Sequence, residues 1–155
     1  MRKKFSWLAV LLLVGALSAS ASMVQLTTDE LANNATLIVT GTVERVESYP
    51  PDGSGVIYSE AEVRVRDAVK GANEAEFVTV RYMGGEYEGL AMVVMEEPAF
   101  ALGEDVVLFL APVEDEVYKC PDGVQGKLAV VDGTVLPVGK TLTEYLDEVA
   151  AAAGR

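Results

Sequence analysis

The chain has 155 residues, half of them apolar, with 24 acidic against 12 basic side chains, a net charge of −12 and no histidine. That length suits one domain of ordinary size, and such acidity opposes binding to nucleic acid or to anionic membrane surfaces. Without imidazole, Ser-His and Cys-His nucleophiles and His-based zinc sites are excluded, and the lone Cys120 leaves no partner for an internal disulfide.

The first residues, Met1-Arg2-Lys3-Lys4, are basic; Phe5 to Leu17 are apolar, and Ser18-Ala19-Ser20-Ala21 offers an A-x-A site. That order is the one signal peptidase reads, so residues 1–21 are expected to be a cleavable secretory signal peptide. The apolar run would span only about 20 Å as a helix, short of the ~30 Å hydrocarbon core of a bilayer. Cleavage after Ala21 would remove Arg2, Lys3 and Lys4 and take the net charge from −12 to −15. No cysteine adjoins the site and no twin arginine precedes it, which points to ordinary export with no stable membrane anchor. Residues 22–155 then form a single secreted, periplasmic or otherwise extracytoplasmic domain.

Thr27 stands three residues before Glu30, the spacing of a capping box, so a short helix is expected from about Thr28 to Asn33. From Leu37 the pattern alternates through Val39, Gly41 and Val43, and the apolar parity then switches to Val46. A switch inside one strand implies a bulge or sharp bend, and Gly41 suits a strand that coils around a barrel. Pro50 to Gly55 is a turn cluster. Ala61, Val63 and Val65 alternate with Glu60, Glu62, Arg64 and Arg66, a half-buried strand whose outer charges should pair locally. Val78, Val80 and Tyr82 mark a third strand ending at Gly84-Gly85, and Leu90 to Met95 a fourth, apolar on both parities. Phe100 to Glu104 should form a turn that plants an aromatic ring in the core. Val106 to Leu110, apolar throughout, should be a central strand covered on both faces. Val117 to Cys120 and Lys127 to Val131 read as short strands, with Cys120 a half-buried thiol. Asp132-Gly133 is a hairpin turn into Thr134 to Val138. Leu142, Tyr145, Leu146 and Val149 share one face of a C-terminal amphipathic helix over 141–153. These elements make a mostly β chain, a small five-stranded OB-like β-barrel with two peripheral helices.

Three segments carry a family likeness. Ala35-Thr36-Leu37-Ile38-Val39-Thr40-Gly41-Thr42-Val43, Val69-Lys70-Gly71 and Phe100-Ala101-Leu102-Gly103-Glu104-Asp105-Val106-Val107-Leu108-Phe109 resemble, in order and rough spacing, the first strand, the second-strand end and the F-x-x-G-x-x-Y-L-V-F segment of netrin-like modules and tissue inhibitors of metalloproteinases. The layout is also similar to that of an uncharacterised family of exported prokaryotic proteins. The resemblance implies an OB-type barrel and an extracellular binding role. It does not carry over zinc chelation, because those inhibitors use an N-terminal cysteine where this chain has Ser22-Met23-Val24, and their aspartate is here Thr36.

No residue is assigned a catalytic, cofactor or metal role. Glu86, Glu88, Glu96 and Glu97 flank the glycine pair, and Glu114, Asp115 and Glu116 crowd a second loop. Oxygen ligands suit calcium, but the D-x-[DN]-x-[DN]-G loop is missing. The function expected is that of an exported, non-enzymatic module that binds a protein or another envelope component and no nucleic acid. Its candidate loops hold Tyr49, Asp52, Tyr58, Tyr82, Gly84, Gly85, Glu86 and Tyr87. Two alternatives are a protease inhibitor acting by loop insertion and a calcium-dependent or carboxylate-based hydrolytic protein.

Overall fold

The structure is a computed structural model that describes residues 23–71 and 74–154. The signal peptide expected over residues 1–21 lies outside the described residues. The first element is helix α1 (Thr28–Asn34). Its capping box is complete: the Thr27 hydroxyl accepts from the Glu30 N–H at 3.2 Å, and the Glu30 carboxylate accepts from the Thr27 N–H at 2.8 Å. No basic residue stands in its last turn. The ammonium of Lys70, from a neighbouring strand, donates instead to the carbonyls of Ala32 and Ala35 at 2.7 Å each, supplying the cation that a helix C-terminus favours.

The strands are β1 (Leu37–Ser48), β2 (Tyr58–Lys70), β3 (Phe77–Met83), β4 (Gly85–Tyr87), β5 (Leu90–Met92), β6 (Asp105–Glu114), β7 (Val117–Lys119), β8 (Lys127–Val131), β9 (Thr134–Leu136) and β10 (Lys140–Thr141). Five of them close a barrel in the order β1-β2-β3-β7-β6, with β6 returning to β1. The β3–β7 pair is parallel and the others are antiparallel, which is the strand arrangement of an OB-type barrel. Beyond β6 the sheet continues through β8, β9 and β10, and helix α2 (Leu142–Ala153) follows, capped by Thr141 and Glu144 in a second capping box.

The bend expected in β1 is present. Val43 faces Val63 and Arg45 faces Glu62, so Glu44 is an extra residue in the ladder, and Val46 then opposes Ala61. The bulge lets Val43 and Val46 both point into the barrel, where Val46 packs against the interior core. A second shift lies at Thr40/Gly41. A methyl group at Gly41 would sit 2.2 Å from the carbonyl oxygen of Arg64, so only glycine permits this approach of β2's backbone.

Two cores result. Val39, Val43, Val63, Val80, Tyr82, Phe100, Val106 and Leu108 fill the barrel. Ile38, Val107 and Phe109, on the opposite faces of β1 and β6, pack with Leu31, Leu128, Val135, Tyr145 and Val149 outside it. Val106 to Leu110 is therefore buried on both faces, as its sequence required. Tyr145, Val149 and Ala152 are the buried stripe of α2, and Leu142 and Leu146 flank it.

Three expectations need correction. The fourth strand is not a barrel stave: Glu88 and Gly89, at φ 47° and 80°, fold Leu90–Met92 back on Gly85–Tyr87 as a separate two-stranded hairpin. The chain then leaves regular structure, and Val93 and Met95 are 87% and 83% exposed. Strand β9 stops at Leu136 rather than Val138, since Pro137 has no N–H for the ladder. The outer charges of β2 do pair, but across strands. Arg64 bridges Glu44 and Glu76, Arg66 meets Asp105, and Glu60 holds Arg81.

Substituting Gly41→Ala should cost at least ~2 kcal/mol of unfolding free energy through overpacking. Gly53→Ala, where a methyl group would meet nothing within 4 Å, should be neutral or slightly stabilising. Urea denaturation checks the pair; equal midpoints would contradict the close approach. The carboxyls of Glu30 and Glu144 are held below the ordinary 4.5, by Thr27 through its backbone and side chain and by Thr141 through its side chain and backbone. Glu148 is held down by Lys140 and Thr28. Folded values below unfolded ones give stability that is present above the ordinary carboxylate range and lost as pH falls through the folded values. Melting temperature should thus hold above about pH 5 and drop steadily below about pH 4. Glu144→Gln should flatten that drop, and parallel curves would exclude the capping box as a source.

Candidate functional site

Chemistry is scarce in the interior. Cys120 is buried and unpaired, and burial first, then the charges of Glu97 and Asp122, push its thiol up to about 12. A thiol so desolvated is a poor nucleophile. Among the described residues no group of three or more His, Cys, Asp or Glu side chains is arranged to hold a metal ion. The folded protein should accordingly react with a disulfide reagent at least about a hundredfold more slowly at pH 8 than after denaturation. Comparable rates would mean that Cys120 is reachable.

The expected binding loops do converge, and the register of β1 with β2 is the reason. Ser48 opposes Ser59, so the next residues, Tyr49 and Tyr58, meet across the ladder, with the Tyr49 N–H donating to the Tyr58 carbonyl at 2.9 Å. Ser59 is completely buried; its hydroxyl lies 2.7 Å from that of Ser48 and donates to the Gly84 carbonyl at 2.6 Å. The Gly84 N–H in turn donates to the Ile57 carbonyl at 2.8 Å. This small network ties the 49–57 loop to the base of the β4–β5 hairpin. Gly85 closes it: at φ 122° its missing Cβ would lie 2.1 Å from the Ser59 hydroxyl and 2.5 Å from that of Ser48.

The remaining candidates have distinct places. Asp52 is the scaffold of its own loop: one carboxylate oxygen accepts from the Ser54 N–H and hydroxyl and from the Val56 N–H, and these bonds, Ser54 first, lower its carboxyl. Glu86 is exposed and Tyr87 half-buried on β4. Tyr82 does not join the exposed set. It is 6% exposed, with its ring centroid 5.2 Å from that of Phe100, and it reaches only the floor of a cleft of about 440 Å³ between the hairpin and the barrel mouth. The alternation Val78, Val80, Tyr82 already placed it with the core.

On the outer barrel wall below the paired tyrosines lies a second, shallow concavity of about 670 Å³, lined by Tyr49, Tyr58, Glu60, Arg81 and Val113. Its polar centre is organised. Arg81 donates through Nε and Nη2 to one oxygen of Glu60, at 2.9 and 2.8 Å; the Tyr49 hydroxyl donates to the other at 2.8 Å. Arg81 also meets Glu114 at 2.7 Å. Glu60, and then burial, raise the Tyr49 hydroxyl, and Glu60 likewise raises Arg81. At neutral pH the phenol is therefore protonated and the guanidinium charged. Glu60, Arg81 and Val113 were not among the sequence candidates, and Glu114 entered only as one of an acidic loop weighed for calcium. The β2–β3 register, with Glu60 opposite Arg81 and Tyr58 opposite Met83, and the end of β6, where Glu114 pairs with Val117 of β7 alongside β3, bring them under the tyrosines. Compared with protein-family models and with curated proteins, the chain matches none.

Proposed function

We propose that this chain is an exported, non-enzymatic binding module that holds an envelope or extracellular component on the wall formed by β2, β3 and the 49–57 loop. The observation that carries the reading is the paired, outward tyrosines over a fixed Glu60–Arg81 centre. Small-ligand sites combine an aromatic lining with a few placed polar groups in this way, and the donors here are already oriented before any partner arrives. The export pattern of residues 1–21 supports an extracytoplasmic address, and the netrin-like sequence resemblance agrees with a binding role for such a barrel. Fold alone does not decide the task, so the reading rests on the site.

Two measurements test it in the producing cell. Mass analysis of the fractionated protein should find a chain beginning at Ser22; a retained Met1 would remove the export reading. A photo-crosslinking residue replacing Tyr58 should form a discrete adduct in the envelope, whereas one replacing Lys140, on the helix-covered side, should not. Equal adduct yields from both positions would overturn the assignment of the face.

A further inference from the structure

We infer that the β4–β5 hairpin is a second binding surface, apart from the β2–β3 wall, and that it takes an extended, cationic segment of a partner polypeptide as an added strand along β5. Three features of the hairpin lead there.

The first is a free strand edge. Strand β5 pairs with β4 and with no other strand. Tyr87 and Leu90 flank the turn, Glu86 opposes Ala91 and Gly85 opposes Met92. In such a ladder the pair beside a two-residue turn is hydrogen-bonded and the next is not, so Ala91 turns its N–H and carbonyl away from β4. Beyond the ladder, the Met92 carbonyl oxygen and the Val94 nitrogen still face Gly84, at 3.1 and 3.8 Å from where its Cβ would stand. Val93 between them therefore points its own N–H and carbonyl outward too. Among the described residues no backbone group bonds to either outward pair. A row of unpaired groups of this kind is the template for strand addition.

The second is the lining. Leu90, Val93 and Met95 are exposed, and Met92 and Val94 line the cleft of about 440 Å³ together with Val46, Met83 and Phe100. An added strand lays alternate side chains on this apolar surface, and methionine adapts to differing shapes. The base of the hairpin is already fixed by the Ser59 hydroxyl on the Gly84 carbonyl and by the Gly84 N–H on the Ile57 carbonyl. Less order then has to be gained on binding.

The third is charge, which selects the occupant. Glu88 precedes the free edge, Glu96 follows it and Glu86 stands opposite Ala91. None of the three is in an ion pair among the described residues, whereas Glu44, Glu47, Glu60 and Glu114 on the barrel each meet an arginine. The cations close by do not offset them. Lys127, over the Phe100 ring, is engaged by Glu104, and Lys119 shares one concavity with Glu96, Glu97 and Asp122. A segment that is apolar at alternate positions and carries Lys or Arg at its ends complements this edge. A second copy would set the same glutamates against each other, and an anionic lipid surface would be repelled.

The test follows amide chemical shifts of the purified, isotope-labelled protein during titration with a short peptide that alternates valine and threonine between lysine pairs. Saturable shifts should centre on Ala91 and Val93 and spare Tyr58. Methylating every core nitrogen of the peptide should weaken it at least about tenfold by removing its ladder donors. Val93→Pro deletes an outward N–H that the fold does not use, and should weaken binding as much with an unchanged melting temperature. Glu86→Lys combined with Glu96→Lys should weaken it about tenfold, and serves where Val93→Pro melts early. The other arms are the same core between glutamate pairs, phosphatidylcholine vesicles, and sedimentation of the protein alone. No saturable shift, shifts centred on Tyr58, indifference to N-methylation or equal binding of the glutamate-flanked peptide would overturn the proposal. So would vesicle binding through Val93 and Met95, or self-association that Val93→Pro abolishes. The Tyr58 crosslinking result is independent of all these outcomes, so the wall and the hairpin stand or fall separately.

Discussion

The barrel depends on how close two backbones come at Gly41. Strand β1 has to serve β2 along its whole length and β6 along its first half, Leu37 to Thr42. A flat strand of twelve residues cannot lie in both ladders of a small closed cylinder, because closure demands tilt and coiling. The register shift at Gly41 and the extra residue at Glu44 deliver that coil, and the missing side chain at Gly41 lets the Arg64 carbonyl occupy the space a methyl would need. Every later feature inherits the result. The second core exists because the coiled first half of β1, with β6, turns Ile38, Val107 and Phe109 outward beneath the helices.

This division of β1 also separates the two sides of the molecule. Its first half is covered on both faces and has no room for a ligand. Its second half, after the bulge, is covered on one face only, and there the outward residues become charged and then aromatic, ending beside Tyr49. The bulge is thus the border between the part of the barrel that the helices use for stability and the part left open. The proposed site begins where the helical cover ends.

Local features were legible in the sequence, and pairings were not. The capping box of α1 could be read from Thr27 and Glu30, three residues apart, and the α2 stripe from its spacing, since a helix satisfies its own backbone. The bend in β1 was written in the parity change from Val43 to Val46, and the covered status of β6 in five consecutive apolar residues. The hairpin was missed because Leu90 to Met95 is apolar on both parities. That pattern describes a buried stave and an exposed flap equally well, and the turn at Glu88-Gly89 decided between them. The ion pairs went to other partners because Glu60 and Arg81 are neighbours only through the register of two strands. For the same reason the tyrosines could be nominated one by one, but the centre beneath them could not.

The barrel's closing seam imposes an order in time. Strand β1 finds its second partner only after the chain has grown from Leu37 to Leu110, and the outer core waits for α2, the last element described. Contacts that distant in sequence are slow to form, so a nascent chain spends its early life with β1 and β2 able to pair as a hairpin but unable to close the ring. The seam that makes the finished protein compact is the same feature that keeps the unfinished one open.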